Sequence, residues 1–242
     1  MEAIGLSDIG LAREVNQDSF FVSQDLNFPL FIVADGMGGH NAGEIASNMA
    51  VDIIKNVFIN NRENLKHKGN IISVMKDAVR KANNNIYHKS LESSEYAGMG
   101  TTLTMAYIFE GNIYICHVGD SRAYYIDDRI IYQITEDHSL VNELIKNGSI
   151  TEKEAKNHPQ RNMITRAVGA SEDIEIDTFI RKYKGGHILL ICSDGLTNMV
   201  SEDILLKEIR KHDELRAICN NLIYNAKSNG GFDNITVVVV KF

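Results

Sequence analysis

The amino-acid sequence predicts an α+β protein, with two packed antiparallel sheets flanked by helices. Three observations carry that expectation. Short apolar runs recur and each ends in an aspartate, β-rich runs follow one another in mid-chain across tight breaks only, and helical periodicity is confined to stretches outside them.

Taken in order, Leu30 to Ala34 is the first apolar run and delivers Asp35-Gly36 at its end. Ala42 to Phe58 and Ile71 to Lys89 are rich in good helix formers with apolar residues at three-to-four spacing. Between Thr101 and Thr135 the β-rich runs are interrupted at Glu110-Gly111-Asn112 and at Asp127-Asp128, so adjacent antiparallel strands are expected. Within that region Ile113 to Val118 leads into Gly119-Asp120. Two short helices are expected at Leu140 to Lys146 and Glu152 to Lys156, separated by Gly148, the second opened by a Thr151-x-x-Glu154 capping box. Ile188 to Cys192 then leads into Ser193-Asp194. A further helix, Leu215 to Ala226, is expected to be capped by Asp213 and ended by Gly230.

The 242 residues fit one domain spanning 1–242, because nothing in the middle reads as a linker. A composition of 44% hydrophobic and 24% charged residues, with no low-complexity tract, sets aside disordered and fibrous classes. The net charge of −7 argues against a nucleic-acid partner, which demands a basic face. Apolar runs such as Val237 to Val240 are far too short to span a bilayer, and no secretory leader is evident, so a cytoplasmic protein is expected. Cys116, Cys192 and Cys219 are odd in number and fit buried free thiols in a reducing compartment.

Asp35, Asp120, Asp194 and Asp233 all occupy strand-end or turn positions. Any one Asp-Gly turn is unremarkable, since these are default turn residues. Several beside apolar strands are another matter. Converging carboxylates raise one another's pKa unless cations neutralise them, and oxygen-only ligands select hard ions, Mn²⁺ or Mg²⁺, over zinc.

Arg13-Glu14-Val15-Asn16-Gln17-Asp18, Asp35-Gly36-Met37-Gly38-Gly39-His40, Gly119-Asp120-Ser121-Arg122, Ser193-Asp194-Gly195 and Asp233-Asn234 occur in this order. In that ordered set the chain resembles the PP2C (PPM) family of metal-dependent protein serine/threonine phosphatases, from about Gly5 to Val240. The resemblance implies a β-sandwich flanked by helices. It implies two core cations, with Asp35 bridging them, the Gly36 carbonyl on one, Asp194 and Asp233 on the other, and Asp18 reaching the cluster through water. Asp120 with Asp194 would form a weaker third site. It further implies a water activated by the cations, Arg13 gripping the phosphate oxygens and His40 protonating the departing serine or threonine oxygen. Gln17 departs from the glutamate that many eukaryotic members carry, which looks like the bacterial branch. The implied partners are phosphoserine and phosphothreonine proteins and an opposing serine/threonine kinase, with a monomer expected. The segment 137–165 corresponds to the variable flap beside the active site.

Three rivals were weighed. Cys116-x5-Arg122 has the spacing of cysteine-dependent phosphatases, but Asp120 would repel the phosphate and Ala123 to Ile126 reads as strand, not as the helix N-terminus that chemistry needs. A non-catalytic phosphoprotein-binding regulator of the same fold would be expected to lose a metal aspartate or the arginine. A metal-dependent nuclease lacks an evident basic groove.

Overall fold

In a computed structural model of the chain, residues 1–25, 27–39, 41–127 and 129–242 are described. One sheet carries β1 (Glu2–Asp8), β11 (Ile235–Lys241), β10 (Ile188–Cys192), β7 (Arg122–Ile126) and β8 (Ile131–Gln133), in that spatial order. The other runs β2 (Asp18–Val22), β3 (Leu30–Met37), β5 (Leu103–Phe109), β6 (Asn112–Val118) and β9 (Asp177–Lys182), with the short β4 (Gly100–Thr101) paired to the end of β3. The pairings are antiparallel, as the tight connections require.

Successive side chains of a strand face opposite ways, so an unbroken apolar run needs cover on both faces. Both faces are covered here. In β3, Leu30, Ile32 and Ala34 join the core beneath α1 (Ala42–Asn60) and α2 (Ile71–Ser90), while Phe31 and Val33 face the space between the sheets. Leu190 and Cys192 of β10 turn instead to the core shared with α6 (Glu202–Lys211) and α7 (Leu215–Ser228), and Leu189 and Ile191 meet Phe31 and Val33 in the middle. Val237 and Val239 alternate with Val238 and Val240 in the same sense. Three apolar slabs thus separate four layers, helices outside and sheets inside. No helix among the described residues is long and apolar enough to cross a membrane.

Local expectations fared unevenly. The Thr151 capping box is present, Thr151 Oγ1 accepting from the Glu154 amide and Glu154 Oε2 from the Thr151 amide, so α4 (Glu152–Ala155) follows α3 (Leu140–Lys146) as the sequence implies. The turn between β5 and β6 has Glu110 and Gly111 both at positive φ, 44° and 74°, the geometry that suits a right-twisted hairpin. At the other break, Asp127 Oδ1 accepts from the amides of Arg129 and Ile130, and Asp128 lies outside the described residues. Asp213 does not cap α7. That helix opens at Leu215 behind Glu214, which leaves Asp213 one residue too far out to reach the free amides of the first turn. The elements that sequence periodicity missed include α6, whose buried stripe is only Leu205, Glu208 and Ile209, the single-turn helix at Asp194–Thr197, and the partly exposed β1, β2 and β9 at sheet edges.

The end of β3 and the start of α1 touch backbone to backbone. A Cβ at Gly36 would stand 2.0 Å from the Gly43 carbonyl oxygen, so only glycine permits the approach. Gly36→Ala should therefore lower stability to urea by about 1–3 kcal/mol, the usual cost of overpacking. A midpoint and slope equal to those of the wild type would show that α1 can withdraw freely.

Candidate active site

Strand ends from both sheets deliver the aspartates to one cleft. Asp18, first residue of β2, lies directly opposite Asp35 on β3. Asp35 has its backbone fully engaged: its amide donates to Thr102 Oγ1 (3.0 Å), and its carbonyl accepts from Thr101 Oγ1 (2.9 Å) and the Thr102 amide (2.8 Å). Only its carboxyl is left for the cleft. From the other sheet, Asp194 leaves β10 to open the short helix α5 (Asp194–Thr197), and Asp233 stands just before β11. A Cβ at Gly195 would lie 2.0 Å from the Asn234 carbonyl oxygen, which fixes these two corners against each other. Asp120 follows Gly119, whose φ of 107° turns the chain out of β6.

The electrostatics confirm that these carboxyls share one environment. Burial pushes Asp18 up to about 7, and Asp194 and Asp233 push the same way against hydrogen bonds from Thr236 and Ser193. Asp35 is raised well above the carboxylate range, by burial first and then by Asp18, Asp194, Asp120 and Asp233. Burial raises Asp194 to about 6 with Asp233 adding to it, and Asp120 is raised by burial and by Asp194. Carboxyls that raise one another in this way cannot all stay ionised without a shared proton or a cation.

Do these residues fit divalent cations? Oδ1 of Asp18 and Oδ1 of Asp194 are buried with no hydrogen-bond partner, a state that costs free energy unless something positive faces them. Asp18 Oδ2 is meanwhile held by Ser193 Oγ at 2.7 Å and Asp194 Oδ2 by Asn198 Nδ2 at 2.9 Å, so the oxygens left over are presented in fixed directions. Among the described residues no three acidic, histidine or cysteine side chains are grouped tightly enough to hold a metal ion by themselves, so the fit rests on the unpartnered oxygens. The donor set fits the hard cations.

Arg13 sits at the rim. Its Nη2 donates to Asp233 Oδ2 at 2.8 Å, yet half of the side chain is exposed, leaving donors of the guanidinium fork for another anion. The loop that carries it is pinned by Asn234, whose Oδ1 accepts from the Gln17 amide and whose Nδ2 donates to the carbonyls of Ile9 and Val15. The Gln17 carbonyl in turn accepts from Gly36 N and Ser47 Oγ. Asn234 and Ser193 stand in the motifs quoted above, but sequence alone assigns them no task. Their hydrogen bonds supply it. His40 lies outside the described residues.

At the Asp120 edge the segment 137–165 is tied down at its first residues. Asp137 forms a forked ion pair with Arg122, 2.9 and 3.1 Å from Nε and 2.6 Å from Nη2. The His138 amide donates to the Gly119 carbonyl, its Nδ1 accepts from the Gly119 amide at 3.1 Å, and its Nε2 faces Asp177 Oδ2 at 3.2 Å. The His138 carbonyl accepts from Thr165, so 137–165 leaves and returns at one point. Arg122 is thereby committed to Asp137, and Cys116 is fully buried with its thiol pushed up to about 12 by burial. The cysteine-phosphatase reading fails on both counts. A surface cavity of about 520 Å³ lined by Phe28, Arg62, Tyr107 and Tyr183 contains none of the five clustered aspartates.

With this geometry in hand, comparison with known proteins is informative. A family model described as Protein phosphatase 2C matches residues 12–222. The serine/threonine phosphatase stp of Listeria monocytogenes serotype 4b is 39% identical over 243 residues, covering 100% of this chain and 96% of its own. The crystal structure of serine/threonine phosphatase Stp1 from Staphylococcus aureus superposes with a TM-score of 0.92 at 38% identity, covering 100% of this chain and 94% of that one. The catalytic domain of the phosphatase PstP, solved with two manganese ions, matches with a TM-score of 0.87 at 33% identity, covering 99% and 97%.

A carboxyl whose folded pKa lies above its unfolded value holds its proton more tightly in the folded chain, so metal-free protein loses stability as pH rises through the values of Asp194 and Asp18, about 6 and about 7. The buried imidazoles, His117 pushed down by burial to about 4 and His138 also lowered by burial, slope the other way between their lowered values and the ordinary histidine range. The rise in unfolding temperature caused by Mn²⁺ isolates the aspartates, and should grow from about pH 5 to about pH 8 as protons cease to compete. A rise independent of pH would place the ions elsewhere.

Proposed function

The chain belongs to the protein phosphatase 2C family and is a metal-dependent serine/threonine protein phosphatase, and on that premise we propose which of its residues carry the reaction. The observation that supports the assignment best is the pair of buried, unpartnered oxygens on Asp18 and Asp194 within an aspartate cluster that the Arg13 guanidinium overlooks. Asp35, the Gly36 carbonyl, Asp194 and Asp233 would hold two Mn²⁺ or Mg²⁺ ions, with Asp18 acting through water and Asp120 with Asp194 taking a weaker third. Such a site would supply a water acidic enough to ionise near neutral pH and positive charge to offset that of the phosphate.

The remaining work falls to the chain. Arg13 keeps Nη2 on Asp233 and turns its other donors to the phosphate oxygens, so phosphate binding and the metal-holding aspartate are oriented by one ion pair. Ser193 fixes Asp18, and Asn234 holds the loop that carries Arg13 at its working distance. His40 gives its proton to the serine or threonine oxygen as the P–O bond breaks. The flap, 137–165, forms the wall against which the substrate protein lies. The substrates are phosphoserine and phosphothreonine proteins of the cytoplasm, among them targets of an opposing serine/threonine kinase, and the enzyme acts as a monomer.

Hydrolysis of a phosphothreonine peptide should cease in excess chelator and return with Mn²⁺ or Mg²⁺. Asp35→Asn and Asp194→Asn should each lower kcat by orders of magnitude with the circular dichroism spectrum unchanged. Near-normal turnover of both would sink the ligand assignment.

Arg13→Ala should chiefly raise KM, with a further fall in kcat if its grip tightens as charge develops. His40→Ala should instead lower kcat on phosphothreonine by about 10²–10⁴-fold, yet far less on p-nitrophenyl phosphate, whose leaving group departs without a proton. Equal losses on the two substrates would remove His40 from the role of acid.

A further inference from the structure

Two of the most exposed large apolar side chains stand together beside the cleft. Leu11 is 64% exposed and Phe232 65% exposed, and neither packs into any of the three apolar slabs. The Leu11 amide donates to the Gly231 carbonyl at 2.7 Å, which joins their two loops. The Leu11 side chain covers Gly231, its Cγ 3.0 Å from where a Cβ would stand, and the Phe232 ring covers Gly230 in the same way at 2.5 Å. Consecutive glycines at φ 131° and 55° thus carry an apolar strip, with Ile9, 38% exposed, in the loop just ahead of Leu11. Solvent-facing leucine and phenylalanine on glycines are a poor way to stabilise a fold. They are a good way to present a contact surface.

The position of the strip says what it contacts. Leu11 is two residues ahead of Arg13, Phe232 immediately precedes Asp233, and Arg13 and Asp233 are joined at 2.8 Å. The strip therefore continues the wall from which the phosphate is gripped, while the flap is anchored on the Asp120 side. An extended peptide advances about 3.3 Å per residue, so a chain whose phosphoresidue is held by Arg13 passes its first or second neighbour over Leu11 and Phe232. A charged neighbour would lose hydration there without gaining a partner. An apolar one would bury surface on both sides.

We propose that Leu11 and Phe232 are specificity-determining residues, binding an apolar side chain within two positions of the phosphoserine or phosphothreonine of a protein substrate. The inference rests on the site assignment above, in which Arg13 faces the phosphate.

The test compares two phosphothreonine peptides, identical except for leucine or glycine at the two positions on each side of the phosphoresidue. The wild type should prefer the leucine peptide by about tenfold in kcat/KM, through KM, as partial burial of a leucine side chain allows. Leu11→Ser/Phe232→Ser should lose most of that preference, and Phe232→Leu should keep it. Equal use of both peptides by the wild type, or an undiminished preference in the double serine variant, would overturn the proposal. A wild type that dimerises in sedimentation, with a monomeric double variant of unchanged peptide preference, would also overturn it and assign the strip to contact between copies. If wild type hydrolyses neither peptide, the site assignment itself falls and takes this inference with it.

Discussion

Mutual repulsion among carboxyls is the constraint on which the rest of this structure depends. Asp18, Asp35, Asp120 and Asp194 are raised by burial first and by neighbouring carboxyls, Asp233 among them, second, and two carboxyl oxygens are left buried with no hydrogen-bond partner. A chain that folds into this arrangement accepts a local cost, and cations recover it. The surroundings are arranged so that the aspartates cannot relax apart. Backbone bonds lock Asp35 to Thr101 and Thr102, Ser193 holds Asp18, and Asn198 holds Asp194. The stability of three apolar slabs is thereby applied at one end of the sandwich to keep like charges together.

The two sheets contribute unequally. β2, β3 and β6 of one sheet deliver Asp18, Asp35 and Asp120, whereas the corners flanking β10 and β11 of the other deliver Asp194 and Asp233. Close approach is achieved at glycine. Gly36 meets Gly43, and Gly195 meets Asn234, in each case with backbone where a Cβ would have to go. These glycines act by bringing the aspartate-bearing strand ends nearer to their neighbours than any other residue would allow, a different task from that of Gly119, which serves a turn.

Much of this was legible because burial on both faces writes an unbroken apolar run into a strand, and a charged residue at the end of such a run stands out. Leu30 to Ala34 and Ile188 to Cys192 are read correctly for that reason, with Asp35 and Asp194 at their ends. β1, β2 and β9 escaped because edge strands have one face partly in water and lose that signature, and α6 because a stripe of two buried leucine-type residues is too short to show a period. The misplaced cap on α7 turned on a single residue of helix boundary. At the site, the aspartates were visible as residue types. The work of Asn234, Ser193 and His138 was not, because each acts by hydrogen bonds to residues tens to hundreds of positions away, and distance along the chain conceals them.

Asn234 links residues 217 and 225 positions away from it along the chain. Its side chain holds Ile9, Val15 and Gln17 in place, and β1 completes its ladder only on β11. Asp18 and Asp35 find their backbone partners within the first hundred or so positions, at each other and at Thr101 and Thr102, whereas the arginine loop finds its own only at residue 234. Removing Asn234 and the strand after it would therefore free the loop that carries Arg13 while leaving the aspartates of the other sheet on their strands.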